Sequence, residues 1–328
     1  MRIVGGGPAG SAAALAGLDL GAPVTIYEKA NFPRHKVCGE FFSPETAGVL
    51  ERLGVQERFF RQRPASIRRL VLSIEHSAKT WRLPEAAYGL SRYTFDCMLL
   101  EAARERGAAI ERGRAAIDTA NSTIVATGRN YTLAHAGRGN RLFGFKAHFD
   151  GPIDDAVELY FFSRCYVGVS SVEDGRTNVC GLAPEDMLRR FDFEIDRFLA
   201  THRPLFKRLE PLRRAMEWVH VGPLVFRRGF QDKRPGIYPV GDALCFVDPF
   251  TGSGMLSAML TGALGGQAAA RGEDSGIHLE RCAKTLRRPF MIASLLRRII
   301  ESGWAERLLP VVPSWLLFHV TRPGKLRS

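Results

Sequence analysis

The sequence lacks any unbroken apolar run of the ~18 residues that a membrane-spanning helix needs. We also expect no secretory leader, because Ile3 and Val4 already have the pattern of a buried strand. Both absences predict a cytoplasmic protein. The 328 residues, 45% of them hydrophobic and 24% charged, are enough to bury a sizeable core in one large or two closely joined domains.

Paired cysteines are missing as well. No C-x-x-C motif occurs, and most of the six cysteines lie in apolar or glycine-containing surroundings. The pattern predicts neither a disulfide framework nor a zinc site, and no other metal site is predicted.

The net charge is +12 and the pI about 9.8, but the basic residues are scattered and form no recognisable nucleic-acid module. We therefore expect no nucleic-acid partner. The charge favours an arginine-rich surface, with a basic face towards anionic lipid or an anionic cosubstrate as the alternative.

A glycine motif near the N-terminus carries the first chemical signal. Residues 5–10 match G-x-G-x-x-G between a short strand and an alanine-rich helix. Gly5 permits a tight turn, Gly7 lets a pyrophosphate approach the backbone, and Gly10 lets helix and strand pack closely. The helix N-terminus attracts the phosphates. Glu28 ends the second strand about 20 residues on, where a carboxylate can bind ribose hydroxyls. These residues predict a dinucleotide site.

The remaining pattern predicts an α/β fold. Helix and strand alternate in a discontinuous, Rossmann-like dinucleotide-binding domain, a sheet-rich substrate domain is inserted into it, and a helical tail follows. The predicted bounds are 1–58, 92–128 and 237–270 for the first domain, 59–91 and 129–236 for the second, and 271–328 for the tail. Residues 44–60 and 186–214 are each predicted to be helical.

A second motif pairs Gly241-Asp242 after a strand with a Pro…Gly-x-Gly segment that opens a helix. Because both motifs are present, residues 1–270 resemble the FAD-dependent oxidoreductases of the aromatic-hydroxylase and geranylgeranyl-reductase superfamily. The resemblance implies FAD rather than NAD, with Asp242 on the ribityl chain. It also implies a helix N-terminus beside the flavin ring, where it would stabilise the negative charge of the reduced form. The matching positions of that segment are Pro249, Gly252, Gly254 and Met255.

Residues 32–40 resemble the F-P-R-x-K-x-C-G segment that runs along the flavin in the geranylgeranyl-reductase branch. The resemblance implies that Lys36, Cys38 and Gly39 lie near the cofactor. Cys38 is the candidate catalytic residue, since a thiol there could donate a proton or tune the ring; the alternative is a small packing residue. Lys36 could bind the cofactor phosphates or be an ordinary solvated lysine, and His35 is expected at the surface.

Residues 90–96 resemble the R-x-x-F-D helix start whose arginine approaches FAD, which implies that Arg92 lies near the pyrophosphate. For Asp96, stabilisation of the first helical turn is the favoured role. Residues 158–181 are more weakly similar to the substrate-domain sheet of that branch.

Three departures from the family pattern change what it implies. Gly128 is retained as a cofactor-binding residue, but the Asp-Gly pair of many members is Thr127-Gly128 here, so NAD(P)H is only a candidate electron donor. Residues 166–171 keep the tyrosine of Y-x-W-x-F-P and lose its tryptophan and proline, which predicts a pocket of different shape. The W-x-W-x-I-P segment of flavin-dependent halogenases is absent, which argues against halogenation.

The tail carries an apolar stripe among arginines, formed by Ile292, Leu295, Leu296, Ile299 and Ile300. A helix packed on the catalytic domain or roofing the substrate pocket is favoured. A basic amphipathic anchor, and with it peripheral membrane contact, is the alternative. Both suit a lipophilic substrate.

The sequence thus predicts an FAD-dependent oxidoreductase that transfers hydride between flavin N5 and a carbon of a hydrophobic isoprenoid- or polyketide-type molecule. Two alternatives stay open: a flavin monooxygenase that hydroxylates an aromatic substrate, and a non-catalytic flavin- or lipid-binding protein. The oligomeric state is not predicted.

Overall fold

The chain folds around two separate β-sheets in a computed structural model, which describes residues 1–117, 122–131, 141–224, 234–245 and 252–301. Pro249 and the tail beyond residue 301 lie outside the described residues. Among the described residues, no helix combines the length and the apolar character that crossing a membrane requires.

The first sheet is parallel. Its strands are β1 (Arg2–Val4), β2 (Thr25–Glu28), β6 (Ala109–Arg112), β7 (Thr123–Val125) and β14 (Ile237–Pro239). Their order across the sheet is β14-β7-β1-β2-β6. The strands come from three separate stretches of the chain, so the predicted Rossmann-like, discontinuous arrangement is confirmed.

Helices pack on the face of this sheet that carries Ile3, Ile26 and Ile124 and share one core with it. They are α1 (Pro8–Leu18), α2 (Thr46–Arg52), α3 (Gln56–Arg61), α4 (Arg92–Glu105) and α8 (Gly254–Ala270). The long α9 (Ser275–Glu301) packs Cys282 and Leu286 against Leu244 and Cys245, just beyond β14. The predicted single helix over residues 44–60 is wrong, because Gly54 adopts a φ of +63° and separates α2 from α3.

The closest helix pair is α1 with α8. A Cβ atom added at Gly266 would lie 2.1 Å from the carbonyl oxygen of Ala13, and one added at Gly262 would lie 2.2 Å from that of Ala9. The two backbones therefore touch, which only small residues allow. This contact joins the N-terminal fingerprint helix to the helix that follows the second glycine motif.

The second sheet is larger and mixed. It contains β3 (Phe41–Phe42), β4 (Ala65–Ile74), β5 (Ser77–Gly89), β8 (Leu142–Asp150), β9 (Ala156–Phe162), β10 (Cys165–Ser171), β11 (Thr177–Pro184), β12 (Arg213–Arg214) and β13 (Val219–Leu224). The order is β12-β8-β11-β10-β9-β4-β5-β3, with β13 also paired to β8. Only the β4–β9 pairing among those described is parallel.

One face of the second sheet packs against helices and forms a hydrophobic core with them. Phe145, Val167 and Val179 lie on it and pack against α5 (Glu185–Arg189), α6 (Ile195–Leu199) and α7 (Arg203–Leu209). The predicted continuous helix over 186–214 is wrong: Asp192 and Phe193 take positive φ angles between α5 and α6, and residues 213–214 form a strand.

The predicted domain bounds stay a prediction. Strand β3 falls within the stretch 1–58 but pairs with β5 of the second sheet. The segment between β2 and β3 therefore crosses from one sheet to the other, and it carries residues 32–40.

The contact between α1 and α8 leads to a stability prediction. Gly266→Ala should lower the free energy of unfolding by about 1–3 kcal/mol, because the new methyl group meets backbone rather than a side chain that can move. Gly48→Ala is the matched control: it lies in α2 with only Arg52 Nη1 near its Cβ position, at 3.9 Å, and should gain up to about 1 kcal/mol in helix propensity. Urea unfolding measures both, and a Gly266→Ala variant as stable as wild type would contradict this packing.

Candidate flavin site

The three fingerprint glycines fill different geometric needs. Gly5 has a φ of +109°, and a Cβ there would lie 2.3 Å from the carbonyl oxygen of Ala126. A Cβ at Gly10 would lie 1.9 Å from the carbonyl oxygen of Gly5. A Cβ at Gly7, by contrast, would meet only Arg92 Nη2, at 3.9 Å. The fold itself thus requires glycine at positions 5 and 10, while Gly7 borders open space at the N-terminus of α1.

Glu28 is buried at the end of β2. Its Oε2 accepts a hydrogen bond from the Gly6 N–H at 2.8 Å, and its Oε1 accepts one from the Ala30 N–H at 2.8 Å. The Arg34 guanidinium lies 3.7 Å away. A carboxylate oxygen has two lone pairs, so each oxygen can accept a further bond from a ribose hydroxyl.

Arg92 opens α4 next to the glycine turn. Ser91 caps the helix by accepting the Thr94 N–H, and the buried Glu173 carboxylate accepts the Ser91 N–H at 2.7 Å. Glu173 follows β10, so the second sheet holds the start of this helix in place.

The guanidinium of Arg92 forms a two-pronged ion pair with Asp96, with one bond of 2.6 Å. Burial disfavours the charge, but the Asp96 carboxylate outweighs it and raises the pKa of Arg92. The favoured role for Asp96, first-turn stabilisation, is wrong: Asp96 lies beyond the first turn, is fully buried and binds Arg92.

Asp242 is surrounded by positive charge. Burial raises the pKa of its carboxyl, while Arg129, Arg92 and Lys36 act in the opposite direction. No described residue donates a hydrogen bond to it. Burial and the nearby Arg92 lower the pKa of Lys36 to about 8. Three cations and a carboxylate without a hydrogen bond suit a ligand that carries both phosphates and hydroxyl groups, as FAD does.

Two further glycines at the predicted site also leave room. A Cβ atom at Gly128 or at Gly254, the first residue of α8, would meet nothing within 4 Å. Gly252 has a φ of +64° and lies against Phe41, where a Cβ would come within 2.9 Å. Met255 is buried in the core.

The segment of residues 32–40 lies between the two sheets. The Asn178 side-chain amide donates to the carbonyl oxygens of Cys38, at 3.1 Å, and Gly39, at 3.0 Å. Gly39 is exposed and a Cβ there would meet nothing within 4 Å, so this stretch also borders open space. The Sγ of Cys38 accepts the Glu40 N–H at 3.4 Å, which leaves its own proton free to be donated.

Sequence reasoning missed a buried charged cluster directly after Gly39, formed by Glu40, Lys146 and His148. Glu40 has a φ of +55° and is fully buried. Its carboxylate accepts bonds from Lys146 Nζ and, at 2.6 Å, from the Arg92 N–H, and it lies 2.7 Å from His148 Nε2. A lysine and a histidine two positions apart in an otherwise apolar strand were the overlooked signal.

Residues 1–131 match the family model of an FAD binding domain. The menaquinone reductase of Mycolicibacterium smegmatis is 45% identical over 53 residues, which are 16% of this chain and 13% of that protein. That of Mycobacterium tuberculosis strain H37Rv is 43% identical over 53 residues, with the same coverage. The chain therefore matches only a small part of these curated relatives.

Solved structures match over nearly the whole chain. A flavin-dependent brominase has a TM-score of 0.79 at 19% identity, covering 98% of this chain and 92% of its own. A flavoprotein/dehydrogenase from Cytophaga hutchinsonii has 0.78 at 18%, covering 95% and 87%. A geranylgeranyl bacteriochlorophyll reductase-like protein from Thermoplasma acidophilum has 0.71 at 19%, covering 96% and 88%. At these identities the similarity shows a shared fold.

The family match shows an FAD binding domain in residues 1–131, and the solved structures show that the chain shares their fold. The predicted FAD cofactor and the α/β fold with its inserted sheet are confirmed, and the predicted resemblance is confirmed for the FAD-binding domain.

The environment of Asp242 leads to a binding prediction. Asp242→Ala should weaken FAD binding about ten- to hundredfold, because a hydrogen bond to a charged group contributes about 1.5–3 kcal/mol. Titration of the apoprotein with FAD, followed by flavin fluorescence, measures this. Glu217→Ala, at an exposed position, is the control and should bind like wild type. Unchanged affinity in Asp242→Ala would remove this residue from the site.

The lowered pKa of Lys36 predicts a pH dependence. Lys36 carries its charge below about pH 8 and loses it above, so FAD affinity should fall as pH rises through that value. Lys36→Met should bind FAD more weakly at neutral pH and lose this decline, while the exposed Lys29→Met should keep it. The same decline in Lys36→Met as in wild type would show that another group titrates.

Proposed function

We propose that this protein is an FAD-dependent oxidoreductase that transfers hydride between the flavin and a carbon of a hydrophobic small molecule of isoprenoid or polyketide type. The observation that carries this proposal is the graded polarity of the second sheet on the face opposite its core.

Strand register defines that face, since residues directly opposite in antiparallel strands point to the same side. Three rows run across β8, β11, β10 and β9. The first row is His148, Asn178, Ser170 and Val157; the second is Lys146, Cys180, Gly168 and Leu159; the third is Gly144, Leu182, Tyr166 and Phe161. The face therefore changes from polar to apolar over a few residues.

The polar end of the face meets the segment of residues 32–40. Asn178 binds the carbonyl oxygens of Cys38 and Gly39, and Glu40 follows. At the apolar end, the Tyr166 ring stacks on Phe161 with centroids 5.8 Å apart, and Leu182 packs with Leu224. A substrate with one polar reacting group and a long apolar part would fit this gradient.

FAD, when bound, supplies the acceptor or donor of hydride. We infer that Glu28 and Asp242 hold its ribose and ribityl hydroxyls and that Lys36 and Arg92 hold its pyrophosphate. We further infer that the glycines at 7, 39, 128 and 254 make room for it, and that Cys38 is the candidate proton donor. The second sheet would exclude water from the reacting atoms.

The names of the matched relatives support the isoprenoid option, because menaquinone carries a polyprenyl chain. The electron donor, with NAD(P)H as the candidate, a cytoplasmic location and peripheral membrane contact stay predictions.

Anaerobic single turnover tests the proposal. The holoprotein, reduced chemically and mixed with a prenylated quinone, should be reoxidised at least ten times faster than with the quinone that lacks the prenyl chain. The product should carry two added hydrogens, at least one of them bound to carbon, which distinguishes it from a quinol. Leu182→Gln should slow this reaction, while Leu20→Gln, an exposed leucine, should not.

Two outcomes would select the rivals. Reoxidation only with O2, with oxygen from O2 in the product, would select a monooxygenase. If neither a lipophilic acceptor nor O2-dependent hydroxylation reoxidises the bound FAD faster than free flavin, the result would select a non-catalytic protein.

A further inference from the structure

The cluster of Glu40, Lys146 and His148 has no part in the hydride transfer described so far. All three side chains are buried, Lys146 completely. Burial of charged groups costs several kcal/mol for each ion, and well-packed apolar residues commonly stabilise a fold as well or better. Stabilisation of the fold alone therefore does not explain the cluster. Its position suggests a further role.

The cluster lies directly behind the backbone that borders the open space of the site. Glu40 follows Cys38 and Gly39 in the chain. Asn178, which pairs with His148 across β8 and β11, binds the carbonyl oxygens of both. A charge on His148 thus acts on a ligand along this segment through buried protein, where screening is weak.

Protonation of His148 decides the net charge of the cluster. Burial acts to raise the pKa of Glu40, but the Lys146 ammonium and the His148 ring outweigh it and hold the pKa below its ordinary value. Glu40 is therefore an anion and offsets the Lys146 cation. The cluster is neutral when His148 is neutral and carries one positive charge when His148 is protonated.

A second histidine connects the cluster to the surface. The His35 ring meets His148 edge-on, with centroids 5.1 Å apart, and stacks on Tyr93, which is 41% exposed. No described residue hydrogen-bonds the buried Nδ1 of His35. Burial and the charge of Lys146 lower the pKa of His35, so it is neutral at neutral pH and able to accept a proton. The other charged or titratable groups that act on this region are Arg176, Cys38, Cys180 and Arg129.

We propose that His148 takes up one proton from solvent, by way of His35, when a two-electron donor such as a reduced nicotinamide or dithionite reduces the flavin. Two electrons and one proton go to the flavin, which becomes an anion, and the second proton goes to the His148 imidazole. The positive charge gained by the cluster then balances the negative charge gained by the ring. This inference rests on the FAD of the proposed function and not on its substrate.

The proton count is visible in the reduction potential. A tenfold change in proton concentration shifts a two-electron potential by about 30 mV for each proton taken up. Two protons per two electrons give a slope of about 59 mV per pH unit, and one proton gives about 30 mV.

The experiment measures the midpoint potential of the FAD-loaded protein with dithionite and indicator dyes between about pH 7 and 8.5. Wild type should show a slope of about 59 mV per pH unit while the absorption spectrum of the reduced flavin is that of the anion. His148→Gln should show about 30 mV with the same spectrum. His220→Gln, an exposed histidine on β13 of the same sheet, should keep the wild-type slope.

A wild-type slope of about 30 mV would overturn the inference, as would a reduced spectrum of the neutral ring, which places the second proton on the flavin. An unchanged slope in a folded His148→Gln variant would also overturn it. The wild-type slope of about 30 mV would overturn the inference even if that variant does not fold. Failure to retain FAD would instead contradict the proposed function, so the two failures are distinguishable.

Discussion

The buried carboxylate of Glu40 is the point on which the geometry of the site depends. It accepts the Arg92 N–H at the start of α4, and it binds Lys146 and His148 on β8. One side chain thus ties together the helix that carries Arg92, the second sheet, and the segment that precedes Glu40 in the chain. Removing one partner of such a buried pair typically costs about 3–5 kcal/mol, because a charge is left uncompensated.

Related contacts hold residues 38–40 against the second sheet. Their two carbonyl oxygens are held by Asn178, and the N–H of Glu40 bonds Cys38. With its hydrogen-bonding groups directed to the second sheet, this stretch presents little more than the Gly39 backbone to open space. A flat flavin ring needs such a surface, since any side chain there would hold it away from the backbone.

The parts of the structure that local chemistry dictates could be predicted from the sequence. Gly5 and Gly10 are set by a turn and a close approach within a few residues, so the motif predicted the strand, the turn and the helix. Other predictions failed where the deciding contact is distant or unusual. The helix over 186–214 is interrupted by Asp192 and Phe193 at positive φ, a conformation that sequence does not favour for phenylalanine. The pairing of Glu40 with Lys146 and His148 joins residues more than a hundred positions apart, which no local pattern encodes.

The glycines separate what the fold requires from what a ligand requires. At Gly5, Gly10, Gly262 and Gly266 an added Cβ would collide with the protein's own backbone, so these positions are explained without any cofactor. At Gly7, Gly39, Gly128 and Gly254 it would collide with nothing. Of these four, Gly7 is the N-cap residue of α1 and only Gly128 has a φ in the left-handed region, so neither close packing nor a required backbone conformation explains Gly39 and Gly254. The open positions are therefore best explained by something outside the chain that must come close to the backbone, and they occur in the turn, crossing segment and helix start that the FAD-binding motifs mark.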